Sequence, residues 1–109
     1  MAKTPPNIVL IMADQLAPQI TGAYGHPVVK TPHIDALARR GMRFDAAYCN
    51  APLCAPSRFS FMSGQLVTRI AAYDNGSEFP SSVPTFAHYL RQMGYRTCLS
   101  GKMHFCLLY

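Results

Sequence analysis

The segment from Asn7 to Ala13 constrains this chain more than any other. It reads Asn-Ile-Val-Leu-Ile-Met-Ala, a continuous apolar run with β-branched side chains at Ile8, Val9 and Ile11. A run of this kind predicts a strand buried on both faces, because a strand with one wet face alternates apolar and polar residues. Such strands belong to sheets covered by helices, which points to an α/β layer. The run ends at Asp14-Gln15, so a carboxylate stands at the C-terminal edge of the predicted strand. Open α/β sheets bind their ligands at that edge.

The remaining segments continue the alternation. Ala17 to Lys30 contains Pro18, Gly22, Gly25 and Pro27 and reads as loop. Thr31-Pro32 predicts an N-cap followed by proline at the first helical position, with Ile34, Leu37 and Ala38 on one face and Gly41 as the stop. Met42 to Tyr48 predicts a short strand with Phe44 on one face. Pro52 and Pro56 punctuate Asn50 to Pro56, and Ser57 to Ser63 reads as helix. Tyr73 to Pro84 reads as loop. Thr85 to Met93 predicts an amphipathic helix with Phe86, Leu90 and Met93 inward and Gly94 at its end. Arg96 to Ser100 predicts a further strand, turning away at Gly101-Lys102. Strands separated by helices favour a largely parallel sheet.

Composition excludes several classes. With 109 residues the chain holds one domain at most, and 50% hydrophobic against 14% charged residues is a globular balance, not a disordered one. The net charge is +5, yet Arg39-Arg40 is the longest basic run and the other cations are scattered. A nucleic-acid partner is therefore not expected. The apolar run ending at Ala13 is far shorter than the roughly 20 residues that span a bilayer, and no export signal or cleavage site follows it. A membrane is not expected as a partner, and a cytoplasmic location is. In that compartment Cys49, Cys54, Cys98 and Cys106 read as thiols, and their spacing with His104 matches no paired zinc knuckle.

The sharpest local feature is Cys54-Ala55-Pro56-Ser57-Arg58. It opens a helix, where backbone N–H groups and the positive end of the dipole favour an anion. Arg58 stands one turn in and can offer a planar cationic fork at the same place. On residue chemistry alone Cys54 reads equally as a buried structural thiol.

This pentapeptide resembles the signature of the type I sulfatases, of the alkaline-phosphatase superfamily. Asp14 after the first strand matches a metal ligand of that family, and Ser100-Gly101-Lys102-Met103-His104 is similar to its second signature, Gly-Lys-x-His. The stretches Ile11 to Leu16, Pro52 to Pro56, Tyr73 to Asn75 and Gly101 to Phe105 resemble the choline-sulfatase branch, which shares the Asp14-Gln15 pair. The likeness extends from about Pro6 to Cys106.

The resemblance implies the N-terminal portion, residues 1–109, of a sulfatase catalytic domain, an α/β sandwich with a largely parallel central sheet flanked by helices. It implies a sulfuric ester hydrolase acting on choline sulfate, with Cys54 converted by a formylglycine-generating enzyme to formylglycine. One hydroxyl of the hydrated aldehyde would attack sulfur, and the second would lose its proton as sulfate leaves by C–O cleavage. Asp14, with the modified Cys54, would hold a divalent cation, expected to be Ca²⁺. Arg58 would hold the diol, Lys102 would bridge nucleophile and sulfate, and His104 would help the second hydroxyl lose its proton. Asn75 would donate its amide to sulfate or to metal-side oxygens. His26, His33, His88, Tyr24, Tyr48 and Tyr89 receive no functional role.

Two departures follow from the same comparison. Gln15 replaces a second aspartate common in the family and offers no charged ligand. The second pair of metal ligands and the groups that recognise choline fall outside these residues, so the 109-residue chain is expected to be a truncated, frameshifted or split gene product, inactive alone. Two other classes remain open: a phosphonate or phosphate monoester hydrolase of the same superfamily, and a non-catalytic anion-binding fragment. Rates on sulfate against phosphonate esters separate the first, and indifference to loss of Cys54 marks the second.

Overall fold

Thr31 organises the first part of the chain. Its hydroxyl accepts from the Gly22 N–H at 2.8 Å and donates to Asp35 Oδ1 at 2.8 Å. In the computed structural model, which describes residues 4–104, this knot joins a short 3-10 turn, Gly22–Tyr24, to helix α1, Pro32–Arg40. A Cβ on Gly22 would lie 2.5 Å from Asp35 Oδ2, so the close approach of turn and helix requires glycine there. Another 3-10 turn, Pro18–Ile20, precedes it. Asp35 in the first turn of α1 and Arg39 and Arg40 in the last complement the helix dipole. Pro32 and Gly41 bound α1 as expected, but the Thr31 hydroxyl is spent on Gly22 and Asp35 and caps no helix N–H. Ile34 and Leu37 are exposed, so the predicted apolar face of α1 stays open.

The described residues fall into two compact units that divide between Ala46 and Ala47. In the second unit, α2 spans Cys54–Ser63, α3 spans Val67–Ile70 and α4 spans Phe86–Gln92. Helix α2 begins at Cys54, ahead of the expected Ser57, because Pro56 lies in the first turn, where no intrahelical N–H is needed. Gly64, at φ 67°, closes it and donates its N–H to Ser60 O at 2.8 Å. The short α3 was not foreseen, and it ends at Ala71, which carries φ 52° without being glycine.

The core of this unit gathers Ala55 and Phe59 from α2, Ile70 from α3 and Ala72, with Phe79 and Val83 packed against it. Phe59 is fully buried and meets Phe79 edge-on at 5.1 Å. Burial of such a ring contributes about 1.5–3 kcal/mol. Phe61 of α2 meets Phe86 of α4 edge-on at 5.8 Å. Met93, expected to face inward, is 70% exposed, because α4 ends before it and the chain turns at Gly94. Thr85 caps the start of α4, and its N–H donates to His88 Nδ1 at 3.0 Å.

The expected parallel sheet is not formed among the described residues. Residues 7–13, 42–48 and 96–100 lie outside every regular element. A strand is made by inter-strand hydrogen bonds, and none of these segments has a ladder partner here. Their apolar side chains are accordingly open, with Val9 at 81% and Ile11 at 83%. Among the described residues no helix is long and apolar enough to cross a membrane. Cys49, Cys54 and Cys98 carry free thiols. Phe105 and Cys106 lie outside the described residues.

Candidate functional site

Four of the expected site residues, with Asn75, fall in the second unit, and α2 sets their frame. Cys54 is the first residue of α2 and is half-buried. Arg58 follows one turn later on the same face, as residues four apart do. Leu53 precedes the helix and has no side chain able to cap it.

The cap comes from a distant residue. Asn75 Oδ1 accepts the Ala55 N–H at 3.0 Å. A backbone N–H is a donor only, so this contact fixes which end of the amide is oxygen. Asn75 stands at the apex of a braced turn. Asp74 Oδ1 accepts the Gly76 N–H at 3.0 Å and the Ser77 hydroxyl at 2.9 Å, while Ser77 Oγ accepts the Tyr73 N–H at 3.1 Å.

This capping changes the anion cradle expected at the helix start. Pro56 has no N–H, the Ser57 N–H bonds Leu53 O at 2.9 Å, and the Ala55 N–H is taken by Asn75. Among the described residues, the Cys54 N–H is the one backbone donor of that turn left for a ligand. Any further positive charge must come from side chains.

Arg58 links α2 to the second motif. It is 6% exposed, and Nη1 donates to Lys102 O at 2.6 Å and reaches Met103 Sδ at 3.9 Å. A buried guanidinium needs acceptors, and a main-chain oxygen supplies one without neutralising its charge. The bond draws Lys102, Met103 and His104 to the face of α2 that carries Cys54. His104 has φ 58°, a left-handed backbone uncommon for a non-glycine residue. Its Nδ1 is buried and finds no hydrogen-bond partner among the described residues. Lys102 is exposed. The structure thus brings Arg58 together with the Lys102–His104 segment, and Ala55 of the signature together with Asn75.

Asp14 belongs to the first unit and is exposed, beside Gln15 at φ 56°. Among the described residues no three His, Cys, Asp or Glu side chains gather as a metal would require. A hard dication takes six to eight oxygen ligands, so the donors present do not fit the expected calcium ion by themselves. No chemical step is derived through one.

Sequence reasoning missed the support around Cys54. The Asp74-Asn75-Gly76-Ser77 string carries a readable turn signal, since Asp side chains bond their own backbone two residues on. That Asn75 then docks on α2 was not visible, because the two residues are joined only by the fold.

Comparison with known proteins places the chain in a family. The family model described as Sulfatase matches residues 6–108. A choline-sulfatase of Rhizobium meliloti (strain 1021) is 51% identical over 92% of this chain and 20% of its own length. Arylsulfatase A of Bos taurus is 40% identical over 94% of this chain and 22% of its own. A solved structure assigned to the sulfatases, from Bacteroides thetaiotaomicron VPI-5482, superimposes with a TM-score of 0.73 at 34% identity, covering 80% of this chain and 20% of that one. The chain spans about a fifth of the length of the curated relatives it matches. Matched along nearly all of its residues by one family model, the chain belongs to the sulfatases.

Proposed function

We propose that residues 1–109 are the N-terminal portion of a catalytic domain that hydrolyses sulfate esters, with choline sulfate as substrate and Cys54 as the precursor of the nucleophile. The observation that carries this reading is the bond from Arg58 to Lys102 O, which holds the two motifs on one face of α2. Choline as the alcohol is supported by the 51% identity to the choline-sulfatase relative. A cytoplasmic location belongs to the same reading and draws support from the free thiols.

Oxidised by a formylglycine-generating enzyme, Cys54 would supply a hydrated aldehyde: one hydroxyl would attack sulfur and displace the alcohol, which takes up a proton, and the other would lose its proton as the carbonyl reforms and sulfate leaves by C–O cleavage. The chain's own residues do the rest. The Cys54 N–H and the Arg58 guanidinium orient the anion and offset charge that develops on it. Lys102, whose main chain Arg58 holds, supplies a cation for the sulfate oxygens. His104 presents Nδ1, buried and without a partner among the described residues, as the atom that holds the proton during release. Calcium stays in this reading with Asp14 as the ligand the chain offers, and no step is routed through it.

Two measurements test the proposal. Co-expression with a formylglycine-generating enzyme should leave the peptide bearing Cys54 lighter by one sulfur and two hydrogens and heavier by one oxygen. A Cys54→Ser chain should show no such change. Joined to the remaining length of the Rhizobium choline-sulfatase, the matured chain should turn over choline sulfate. Preference for a phosphonate monoester would replace the substrate class, and an unmodified Cys54 would remove the mechanism.

A further inference from the structure

We infer that Asn75 is a positioning residue for Cys54, acting through the Ala55 N–H as a remote cap of α2, with Asp74 and Ser77 as the bracket that presents it. The inference rests on the hydrolase reading for its catalytic meaning and on the structure for its geometry.

A helix start leaves backbone N–H groups without intrahelical acceptors, and the residue before the helix usually supplies one. Leu53 cannot. Cys54 therefore sits on a turn that would fray, and a nucleophile needs its placement held to within a fraction of an ångström. Asn75 Oδ1, 3.0 Å from the Ala55 nitrogen, supplies the missing acceptor at the residue next to Cys54. An exposed asparagine could not hold a helix end if its own backbone drifted. The turn is fixed by Asp74 Oδ1, which takes both the Gly76 N–H and the Ser77 hydroxyl. It is fixed again by Ser77 Oγ, which takes the Tyr73 and Asp74 N–H groups at 3.1 and 3.3 Å. Two side chains thus saturate a turn whose apex is the capping residue.

This separates Asn75 from a simple substrate donor. Its carbonyl oxygen is committed to Ala55, so its first task is to hold the helix, whichever group its amide nitrogen meets afterwards. The acceptor is the part that matters for positioning, and aspartate keeps it where alanine does not.

Amide hydrogen exchange on the unmodified 109-residue chain tests this without any turnover. Asn75→Ala should speed exchange at Ala55 by roughly three- to tenfold, the loss of one capping bond, and leave the Gly64 amide at the far end of α2 unchanged. Asn75→Asp should restore protection at Ala55. Ser77→Ala, which leaves Asn75 in place, should speed the same amide by a smaller factor. In the enzyme joined to the Rhizobium choline-sulfatase remainder, Ser77→Ala should lower kcat while KM holds, since the substrate contacts are kept and only the nucleophile is loosened.

Unchanged exchange at Ala55 in Asn75→Ala overturns the inference, and so does an equal rise at Gly64, which would mark a general loss of structure. Faster exchange at Ala55 with an unaltered kcat in Ser77→Ala overturns the catalytic role. If the unsubstituted joined enzyme has no turnover, the hydrolase reading fails, and the exchange rates still decide whether Asn75 holds α2.

Discussion

Arg58 Nη1 and the main-chain oxygen of Lys102 meet at 2.6 Å, a bond between residues 44 positions apart. It gives the guanidinium a second duty beside any role toward an anion. The same group, one turn into α2, also fixes where Lys102 and His104 arrive.

Arg58→Lys should therefore do more than change a cation. An ammonium on a shorter stem lacks the planar fork that reaches a carbonyl from a buried position. Urea unfolding should show a loss of about 1.5–3 kcal/mol, the range for a hydrogen bond to a charged group. Turnover by the joined enzyme should fall by about 10²-fold or more, as for loss of a donor to developing charge.

Phe59→Ala tests the platform beneath the site. Phe59 is 0% exposed and packs with Ala55, the residue that Asn75 caps. Truncation should cost about 3–5 kcal/mol, comparable to the whole stability of a small domain. Circular dichroism should show the helical signal of the second unit lost at room temperature.

The fate of these two residues shows what could be read in advance. Helix α1 was legible because its signals are local: Pro32 at the start and Gly41 at the end. The placement of Arg58 one turn into α2 was legible from the motif, yet its bond to Lys102 O was not, since nothing in a sequence states which distant carbonyl a buried cation will find. Cys54 was placed before the helix because Pro56 was read as a break. The first turn tolerates proline, and the helix begins at Cys54 itself. The predicted strands are not formed among the described residues for the opposite reason. Val9 and Ile11 have strong β character, but a strand exists only when a neighbour accepts its hydrogen bonds, and for a parallel sheet that neighbour lies far along the chain. The parts of the site that rest on helix periodicity were foreseen, and the parts that rest on loop-to-helix contacts were not.

Ala71→Gly should stabilise the chain. Ala71 closes α3 at φ 52°, a conformation that costs an L-residue roughly 1–2 kcal/mol, of which glycine's greater freedom when unfolded takes back part. The net expectation is a gain of about 0.5–1 kcal/mol, seen as a raised melting temperature.

Gly22→Ala should act in the opposite sense and in the first unit. The new methyl would displace Asp35 Oδ2, and because Oδ1 holds the Thr31 hydroxyl, the carboxylate cannot swing away without breaking that bond. A loss of about 1 kcal/mol is expected, and Thr31→Val, which also strips the Gly22 N–H of its acceptor, should cost less in this background than in the parent chain, which a double-mutant cycle would read.

The open run from Ile8 to Met12 has a practical consequence. Five consecutive apolar residues without charge or proline, with Ile8 at 60% and Leu10 at 55% exposure, are the composition that stacks into cross-β assemblies. Asp14 is the nearest charge able to interrupt such stacking, and it stands beyond the run's end. Colloidal behaviour, more than folding, will then set the concentration at which this chain can be handled. A charged residue placed at Val9, the more exposed neighbour of Ile8, is where solubility would be recovered.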